Sequence, residues 1–184
     1  MRILGVSGSL RSDSNNTRLL AAAATHAPQG VELELLDAEL LRAVPAFDED
    51  CEEPAPQSVE EVRQRIASAD AVLFATPEYN SSVPGWLKNV IDWCSRPQAS
   101  AALKGKDVAV VGSSTGMFGA VWGQAELRKT LAASGARVVD RELPVPAVDQ
   151  AFDDQGALID TELRSLLAEH VAELVDAARI SAAA

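Results

Sequence analysis

Residues 1–18, MRILGVSGSLRSDSNNTR, contain the pattern from which the fold of this chain can be predicted. It opens with a short, largely apolar run at residues 2–6, continues through a polar segment, and enters a region whose apolar residues recur at helical spacing. A short and nearly continuous apolar run is typical of a strand that is buried on both faces of a parallel sheet. These residues therefore predict a strand, a polar loop and the start of a helix.

The same succession repeats along the chain. Four further strand-like runs occupy residues 31–36, 71–75, 107–112 and 137–141. Helical spacing of apolar residues marks 14–27, 58–69, 84–95, 119–134 and 160–180. This alternation predicts an α/β fold, a doubly wound five-stranded parallel sheet with helices on both faces. Five such units fit the flavodoxin-like strand order 2-1-3-4-5, in which ligands bind beyond the carboxyl ends of the strands.

Length and composition indicate an ordinary globular protein. The chain has 184 residues, of which 47% are apolar and 23% charged. We expect a single domain over residues 1–184. The amino terminus lacks an apolar stretch of signal-peptide length, and Cys51 and Cys94 form no Cys-x-x-Cys pair. These features predict a cytoplasmic protein without a membrane segment.

The charge is strongly negative overall but unevenly distributed. With 16 basic and 27 acidic residues the formal net charge is −11, which argues against a nucleic-acid or anionic-membrane partner. Residues 37–61 hold nine acidic residues and one basic residue, and we expect the segment 45–57 to be a long surface connection. Residues 1–30 hold three arginines and one aspartate, so this segment is locally positive and can hold one anion.

The loop at residues 8–17 has the composition of a phosphate site. It offers hydroxyls, amides and backbone N–H groups next to a helix N-terminus, and Arg11 adds a guanidinium suited to phosphate oxygens. The chain lacks the Gly-x-Gly-x-x-Gly and Walker A patterns, so a monophosphate fits better than a pyrophosphate or triphosphate. The alternative is a polar turn in which Ser14 only caps the helix.

Two more loops follow the third and fourth predicted strands. Residues 76–86 contain two prolines that pre-order the backbone for contact with a flat heterocycle, and Tyr79 can either line that pocket or plug the loop. Residues 112–119 contain small residues that let the backbone approach a ligand. Met117 and Phe118 in this third loop can cover a ring or belong to the core.

Three strings resemble the NADPH-dependent FMN reductase family, which includes bacterial quinone, chromate and azo-dye reductases. They are GSLR…SNN within residues 8–16, PEYNSSVPGWLKNVIDW at 77–93, and SSTG…G at 113–119. Their order and spacing agree with the family over residues 1–145, and the middle string is the most specific. The resemblance implies an FMN-containing enzyme with NADPH or NADH as co-substrate.

The resemblance also assigns FMN contacts to all three loops. The phosphate loop is Ser9, Arg11, Ser14, Asn16 and Thr17. The residues against the isoalloxazine, mostly through backbone, are Pro77, Glu78, Tyr79 and Asn80, with Ser81 near the substrate face. The far side of the ring and the ribityl chain belong to Ser114, Thr115 and Gly116. Many relatives carry a bulky aromatic residue or a glycine where this chain has Ser81, so this position departs from the family pattern and bears on substrate preference.

The resemblance implies an oxidoreductase that passes electrons from NAD(P)H through FMN to a quinone, a free flavin or a similar small acceptor in a ping-pong cycle. Because the flavin carries the chemistry, we expect no catalytic side chain and no metal. His26 and His170 lie on predicted helices away from the three loops. Two alternatives are a flavodoxin-type carrier that binds FMN without oxidising NAD(P)H and a protein that keeps the fold without flavin.

The helix at residues 84–95 predicts self-association. Trp86 and Trp93 lie on nearly the same face, in excess of the apolar residues that pack this helix on the sheet. Surplus aromatic surface usually marks an interface, and family members are commonly dimers or tetramers with flavins near the subunit boundary. We therefore expect a homodimer or homotetramer with this helix in the contact. The alternative is that one tryptophan covers the neighbouring helix, where Trp122 lies.

Overall fold

The computed structural model describes residues 1–183. The strands in this part of the chain are β1 Arg2–Ser7, β2 Glu32–Leu35, β3 Ala71–Thr76, β4 Asp107–Ser113, β5 Arg137–Val138 and β6 Pro144–Val145. The α-helices are α1 Asn15–Thr25, α2 Ala38–Arg42, α3 Gln57–Ser68, α4 Gly85–Cys94, α5 Val121–Ala133 and α6 Thr161–Ala183. Short 3-10 turns lie at Glu49–Cys51 and Val148–Gln150. Of these helices, none combines the length and apolar character needed to cross a lipid bilayer.

The strands form one parallel sheet in the order β2-β1-β3-β4-β5, which confirms the predicted flavodoxin-like order. Alternate residues of each strand face opposite cores. Leu73 and Val111 pack in the core that includes α1 and α6, whereas Val72 and Val110 pack in the core that includes α3, α4 and α5. Helices therefore cover both faces, which is why the strand sequences are nearly continuously apolar.

The fifth predicted strand, residues 137–141, is shorter than expected and is followed by a sixth. Pairing in β5 stops at Val138, and β6 returns to the same edge of β4 a few residues later. Between them Arg141 pairs with Glu169 at 2.7 Å and Glu173 at 2.5 Å, both on α6. The prediction of one continuous strand is wrong, because the chain turns after β5: Arg141 N donates to Val139 O at 2.9 Å, and the Arg141 side chain pairs with α6.

The connection at residues 45–57 lies on the surface, as predicted, with every residue exposed or partly exposed, and its start packs on α4. The Pro45 carbonyl accepts a hydrogen bond from Trp93 Nε1 at 2.9 Å, and the Phe47 ring meets the indole edge-on at 5.0 Å. As a result Trp93 is only 1% exposed, whereas Trp86 is partly exposed. The predicted intersubunit contact of Trp93 is therefore wrong: a distant segment of the same chain already covers it.

The amino ends of β4 and β5 are joined to the end of α6 by one buried carboxylate. Arg137 donates two hydrogen bonds to Asp107, at 2.8 and 2.7 Å, and Ser181 Oγ donates a third at 3.1 Å. Burial opposes the charged form, yet these hydrogen bonds outweigh it and lower the pKa of Asp107. The last turn of α6 is held to the sheet by these contacts.

Candidate functional site

The carboxyl ends of β1, β3 and β4 open onto one cavity of about 240 Å³. Its lining consists of Ser9, Arg11, Ser14, Asn15, Asn16, Pro77, Glu78, Tyr79, Ser113, Ser114, Thr115 and Val148. The predicted residues outside this lining are Thr17, Asn80, Ser81 and Gly116. All three loops named from the sequence therefore meet at the edge of the sheet where α/β proteins bind ligands.

A larger groove of about 480 Å³ lies between the C-terminal halves of α4 and α5. Its charges are largely paired with each other: Lys88 contacts Asp92 at 2.7 Å, and Lys129 contacts Glu126 at 3.7 Å. It also lies away from the carboxyl ends of the strands. The smaller cavity is the stronger candidate site because its position and the guanidinium of Arg11 in its lining, unpaired in the described part of the chain, both suit a ligand.

The first loop turns sharply because Gly8 lies directly against β3. Gly8 N donates to Ala75 O at 2.6 Å, and a Cβ at this position would lie 2.9 Å from the same oxygen. Only glycine permits this approach. Beyond the turn, Arg11 N donates to Ser9 Oγ at 3.4 Å, so the Ser9 hydroxyl supports the backbone that forms the cavity wall.

Ser14 begins α1 and also lines the cavity. Its Oγ accepts a hydrogen bond from Thr17 N at 3.3 Å, which is the helix cap that the alternative interpretation of this loop expected. Thr17 Oγ1 donates to Ser7 Oγ at 2.8 Å, so Thr17 braces the loop from behind. The cap places the N-terminus of α1, the positive end of its dipole, at the cavity wall.

Arg11 is the one basic side chain in the cavity lining. It is exposed, and none of the salt bridges within residues 1–183 involves it. Its guanidinium is therefore available for an anion beside the N-terminus of α1.

The second loop is ordered by a tight turn as well as by its prolines. Asn80 and Ser81 both have positive φ, at 52° and 59°, and the flanking Tyr79 and Ser82 exchange two backbone hydrogen bonds at 3.0 and 3.1 Å. Such a pair of residues is typical of a two-residue hairpin turn. The turn projects Asn80 and Ser81 outward, which is why neither side chain lines the cavity.

Glu78 connects the second loop to α5. Its Oε2 accepts hydrogen bonds from Trp122 N and Gly123 N, each at 3.0 Å. The carboxylate thus caps the first turn of α5, where a negative charge is favoured. Because the carboxylate is used in this way, Glu78 borders the cavity with its side chain already committed to α5. The sequence predicted a backbone role for Glu78 but not this cap.

Asn16 connects the first loop to the third. Its side-chain amide donates to Ser113 O at 3.2 Å and accepts from Ser113 N at 3.1 Å, and the residue is 4% exposed. On the opposite side, Val148 N donates to Ser114 O at 3.1 Å. Val148 completes the cavity lining and was missed by the sequence prediction, because no local pattern marks a position defined by long-range pairing.

Both histidines lie away from the cavity, as expected. His26 follows the last turn of α1, and His170 is fully buried on α6. Burial lowers the pKa of His170 to about 4, so the imidazole is neutral at pH 7. The cavity lining contains neither residue, and a proton relay through histidine has no support in this arrangement.

Four large apolar side chains are exposed near this end of the molecule: Tyr79, Met117, Phe118 and Trp122, which we call the aromatic rim. The rings of Phe118 and Trp122 meet edge-on at 4.9 Å. Tyr79 is 55% exposed and Met117 77% exposed, so the alternatives of a tyrosine plug and of core packing for the third loop are wrong. Exposed apolar surface of this kind marks ligand sites or interfaces.

Known proteins are similar to this chain over nearly its whole length. A family model described as NADPH-dependent FMN reductase matches residues 1–150. An NAD(P)H-dependent FMN reductase of Pseudomonas aeruginosa is 40% identical over 176 residues, which cover 95% of this chain and 93% of that protein. A 2-hydroxy-1,4-benzoquinone reductase of a Burkholderia species is 33% identical, with 91% and 90% covered.

The solved structures agree with the sequence relatives. FerB from Paracoccus denitrificans, a flavoenzyme NAD(P)H:(acceptor) oxidoreductase, superimposes with a TM-score of 0.87 at 35% identity and covers 97% of each chain. Similarity of this extent shows the same overall fold.

Proposed function

The chain belongs to the NADPH-dependent FMN reductase family and is an NAD(P)H-dependent flavin oxidoreductase, and we propose that its cavity holds FMN and that its acceptor is a small quinone. The observation that carries the proposal is the meeting of three loops, distant in sequence, around a cavity with one unpaired arginine. FMN combines a phosphate, a polar chain and a flat ring, and the three loops offer groups suited to each.

The first loop suits the phosphate. Arg11 borders the cavity without a carboxylate partner among residues 1–183, and Ser14 presents the N-terminus of α1. A phosphate there gains a charge-assisted hydrogen bond and the favourable end of the helix dipole. Ser9 lies in the same wall, whereas Asn16 and Thr17 act by holding the loop, since their side chains bond Ser113 and Ser7.

The second and third loops suit the two faces of the ring system. Pro77, Glu78 and Tyr79 form one wall, and Ser114 and Thr115 form another. We place Asn80, Ser81 and Gly116 just outside, where their backbone shapes the loops. When bound, FMN supplies the redox chemistry by accepting a hydride from NAD(P)H and delivering two electrons to the acceptor. The residues of the chain bind and orient the reactants.

The aromatic rim supports a flat acceptor. A relative is named for the reduction of a hydroxybenzoquinone, and a quinone ring can bury its faces against exposed aromatic side chains. Ser81, close to Tyr79 in the same turn, is exposed and has a small side chain. We therefore propose a quinone as the acceptor in preference to a small inorganic oxidant.

The function is tested by flavin binding and by reaction with NADPH. FMN at about 100 times its dissociation constant should stabilise the fold by roughly 2.7 kcal/mol, and riboflavin, which lacks the phosphate, should stabilise it much less. Mixing the FMN-loaded protein with NADPH should bleach the flavin rapidly, and benzoquinone should restore the colour. A flavodoxin-type carrier would bind FMN but would not bleach without a separate reductase. A protein indifferent to FMN would contradict the proposal altogether.

We also propose that the protein is a cytoplasmic homo-oligomer, either a dimer or a tetramer. Trp93 is buried within the chain and is not free to contact a second copy. The support for self-association is the exposed aromatic rim around Trp122. Light scattering should give a multiple of 19.4 kDa for the wild type and a lower mass for Trp122→Glu. A wild-type mass of one chain would overturn the assembly.

A further inference from the structure

Gln124 on α5 is fully buried and does not line the cavity, yet its side chain contacts both ends of the third loop. Its Nε2 donates to Gly119 O at 3.1 Å, and its Oε1 accepts from Leu143 N at 3.1 Å. Leu143 O in turn accepts from Gly112 N at 3.2 Å. Because Gly112 begins the loop and Gly119 ends it, the Gln124 amide bonds one end directly and the other through the backbone of Leu143.

Two glycines lie where a side chain would collide with this arrangement. A Cβ at Gly112 would lie 2.7 Å from Gln124 Cγ, so a side chain there would displace the side chain of Gln124. A Cβ at Gly119 would lie 2.6 Å from Val145 N, and Gly119 also has a φ of +57°. The first glycine therefore makes room for Gln124, and the second lets the end of the third loop pack against β6.

The third loop is also hydrogen-bonded to residues 145–147, which precede Val148 in the cavity wall. Ser114 N donates to Val145 O at 3.2 Å, and Ala147 N donates to Gly116 O at 3.2 Å. Ser114 and Val148 both line the cavity. A shift of the third loop would consequently move two parts of the wall together.

We propose that Gln124 is a positioning residue that sets the third loop against the flavin ring, and so controls FMN affinity and the surroundings of the ring. The inference rests on the proposed FMN site. Gly119 O needs a donor and Leu143 N needs an acceptor, and the amide of glutamine supplies both at once. Without them, two buried backbone groups lose their partners and the loop is free to move toward other ones.

The test compares Gln124→Leu with the wild type and with Leu127→Ala. Gln124→Leu places an apolar side chain, one atom shorter, in the same site and removes both hydrogen bonds. The FMN dissociation constant should rise about 10-fold or more, with a changed visible circular dichroism of the bound flavin. Leu127 is fully buried one turn further along α5. Leu127→Ala should lower the melting temperature while leaving FMN affinity and the visible spectrum unchanged.

A conservative variant extends the test. Gln124→Glu keeps the acceptor for Leu143 N, so its FMN affinity should fall between those of the wild type and Gln124→Leu, and it replaces Gln124→Leu if that variant does not fold. Wild-type affinity and spectrum in both Gln124 variants would overturn the positioning role, and so would an equal loss of affinity in Leu127→Ala. If the wild type itself does not bind FMN, the proposed function fails instead.

Discussion

Trp93 and Trp122 lie on consecutive helices, α4 and α5, and are used in opposite ways. Trp93 is 1% exposed, covered by the Phe47 ring and with the Arg63 guanidinium 5.8 Å from its centre. Trp122 is 47% exposed and contacts Phe118 at the aromatic rim. The two tryptophans differ in exposure because Pro45 and Phe47 pack against Trp93 on α4.

Charged groups follow the same division between interior and cavity. In the interior, Arg63 Nε donates to Trp93 O at 3.1 Å and its Nη1 pairs with Glu60 at 2.7 Å. At the cavity, Arg11 has no ion pair in the described part of the chain. Groups with protein partners stabilise the fold, and groups without them are available to ligands. Substitutions in the interior should therefore alter stability, and substitutions at the cavity should alter binding.

The largest expected effect is the loss of the Trp93 side chain. Trp93→Ala leaves a cavity beneath Phe47 and should lower the free energy of unfolding by roughly 3–5 kcal/mol. Trp122→Ala, the matched change at the rim, should lower it by about 0.5 kcal/mol because the backbone bond to Glu78 remains. Urea denaturation of both variants measures the difference. Equal losses would contradict the contrast between the two tryptophans.

The second effect is acid destabilisation through His170. Burial lowers its pKa from 6.5 to about 4, so the unfolded chain takes up the proton first as the pH falls. The neutral His170 side chain makes its full contribution to the free energy of unfolding above pH 6.5. This contribution falls by about 3 kcal/mol in total as the pH is lowered from 6.5 to 4.

Urea midpoints at pH 7.5 and 5 measure this loss. Charged groups also act on the imidazole: Arg141 and Arg128 lower its pKa, and Glu173 raises it. His170→Phe should flatten the pH dependence, whereas His26→Gln at the end of α1 should retain it. A wild-type profile in His170→Phe would show that other groups cause the acid loss.

The third effect concerns the cavity alone. Arg11→Ala should weaken FMN binding by roughly 1.5–3 kcal/mol, because a charge-assisted hydrogen bond is lost. That corresponds to about 10- to 150-fold in the dissociation constant. Quenching of flavin fluorescence measures the affinity, and riboflavin should bind Arg11→Ala and the wild type equally.

Arg18→Ala is the control for this prediction. Like Arg11→Ala, it removes one positive charge, here from the beginning of α1. Arg18 lies over the Phe152 ring at 5.5 Å and does not border the cavity. FMN affinity should therefore be unchanged in this variant. An equal loss in both variants would indicate a general effect of charge and would remove the specific role of Arg11.

The smallest effect is chemical and needs no change in stability. Cys51 is exposed, whereas Cys94, beside Trp93, is buried and burial raises the pKa of its thiol to about 12. A thiol reagent at pH 8 should modify one cysteine per native chain, and Cys51→Ser should abolish the reaction. Modification of two thiols in the native protein would mean that the interior around α4 opens readily.

Periodicity predicted the central strands and most helices well. The runs at residues 71–75 and 107–112 match β3 and β4 to within one residue, because strands buried on both faces are continuously apolar. Gly135 correctly predicted the end of α5, since its φ of +86° suits a residue after a helix. The two-residue strand β6 was missed, because so short an element exists only through its pairing with β4.

The candidate site divides in the same way. Local sequence was sufficient to predict that the three loops meet at one edge of the sheet, since this depends on where the strands end. The anion-binding role of Arg11 follows from its residue chemistry and stays a prediction. The folded chain was needed to learn that Asn16 is committed to Ser113, Glu78 to α5 and Trp93 to Pro45. Each of these partners is distant in sequence. A side chain that is hydrogen-bonded to such a partner in the folded chain is not free to bind a ligand.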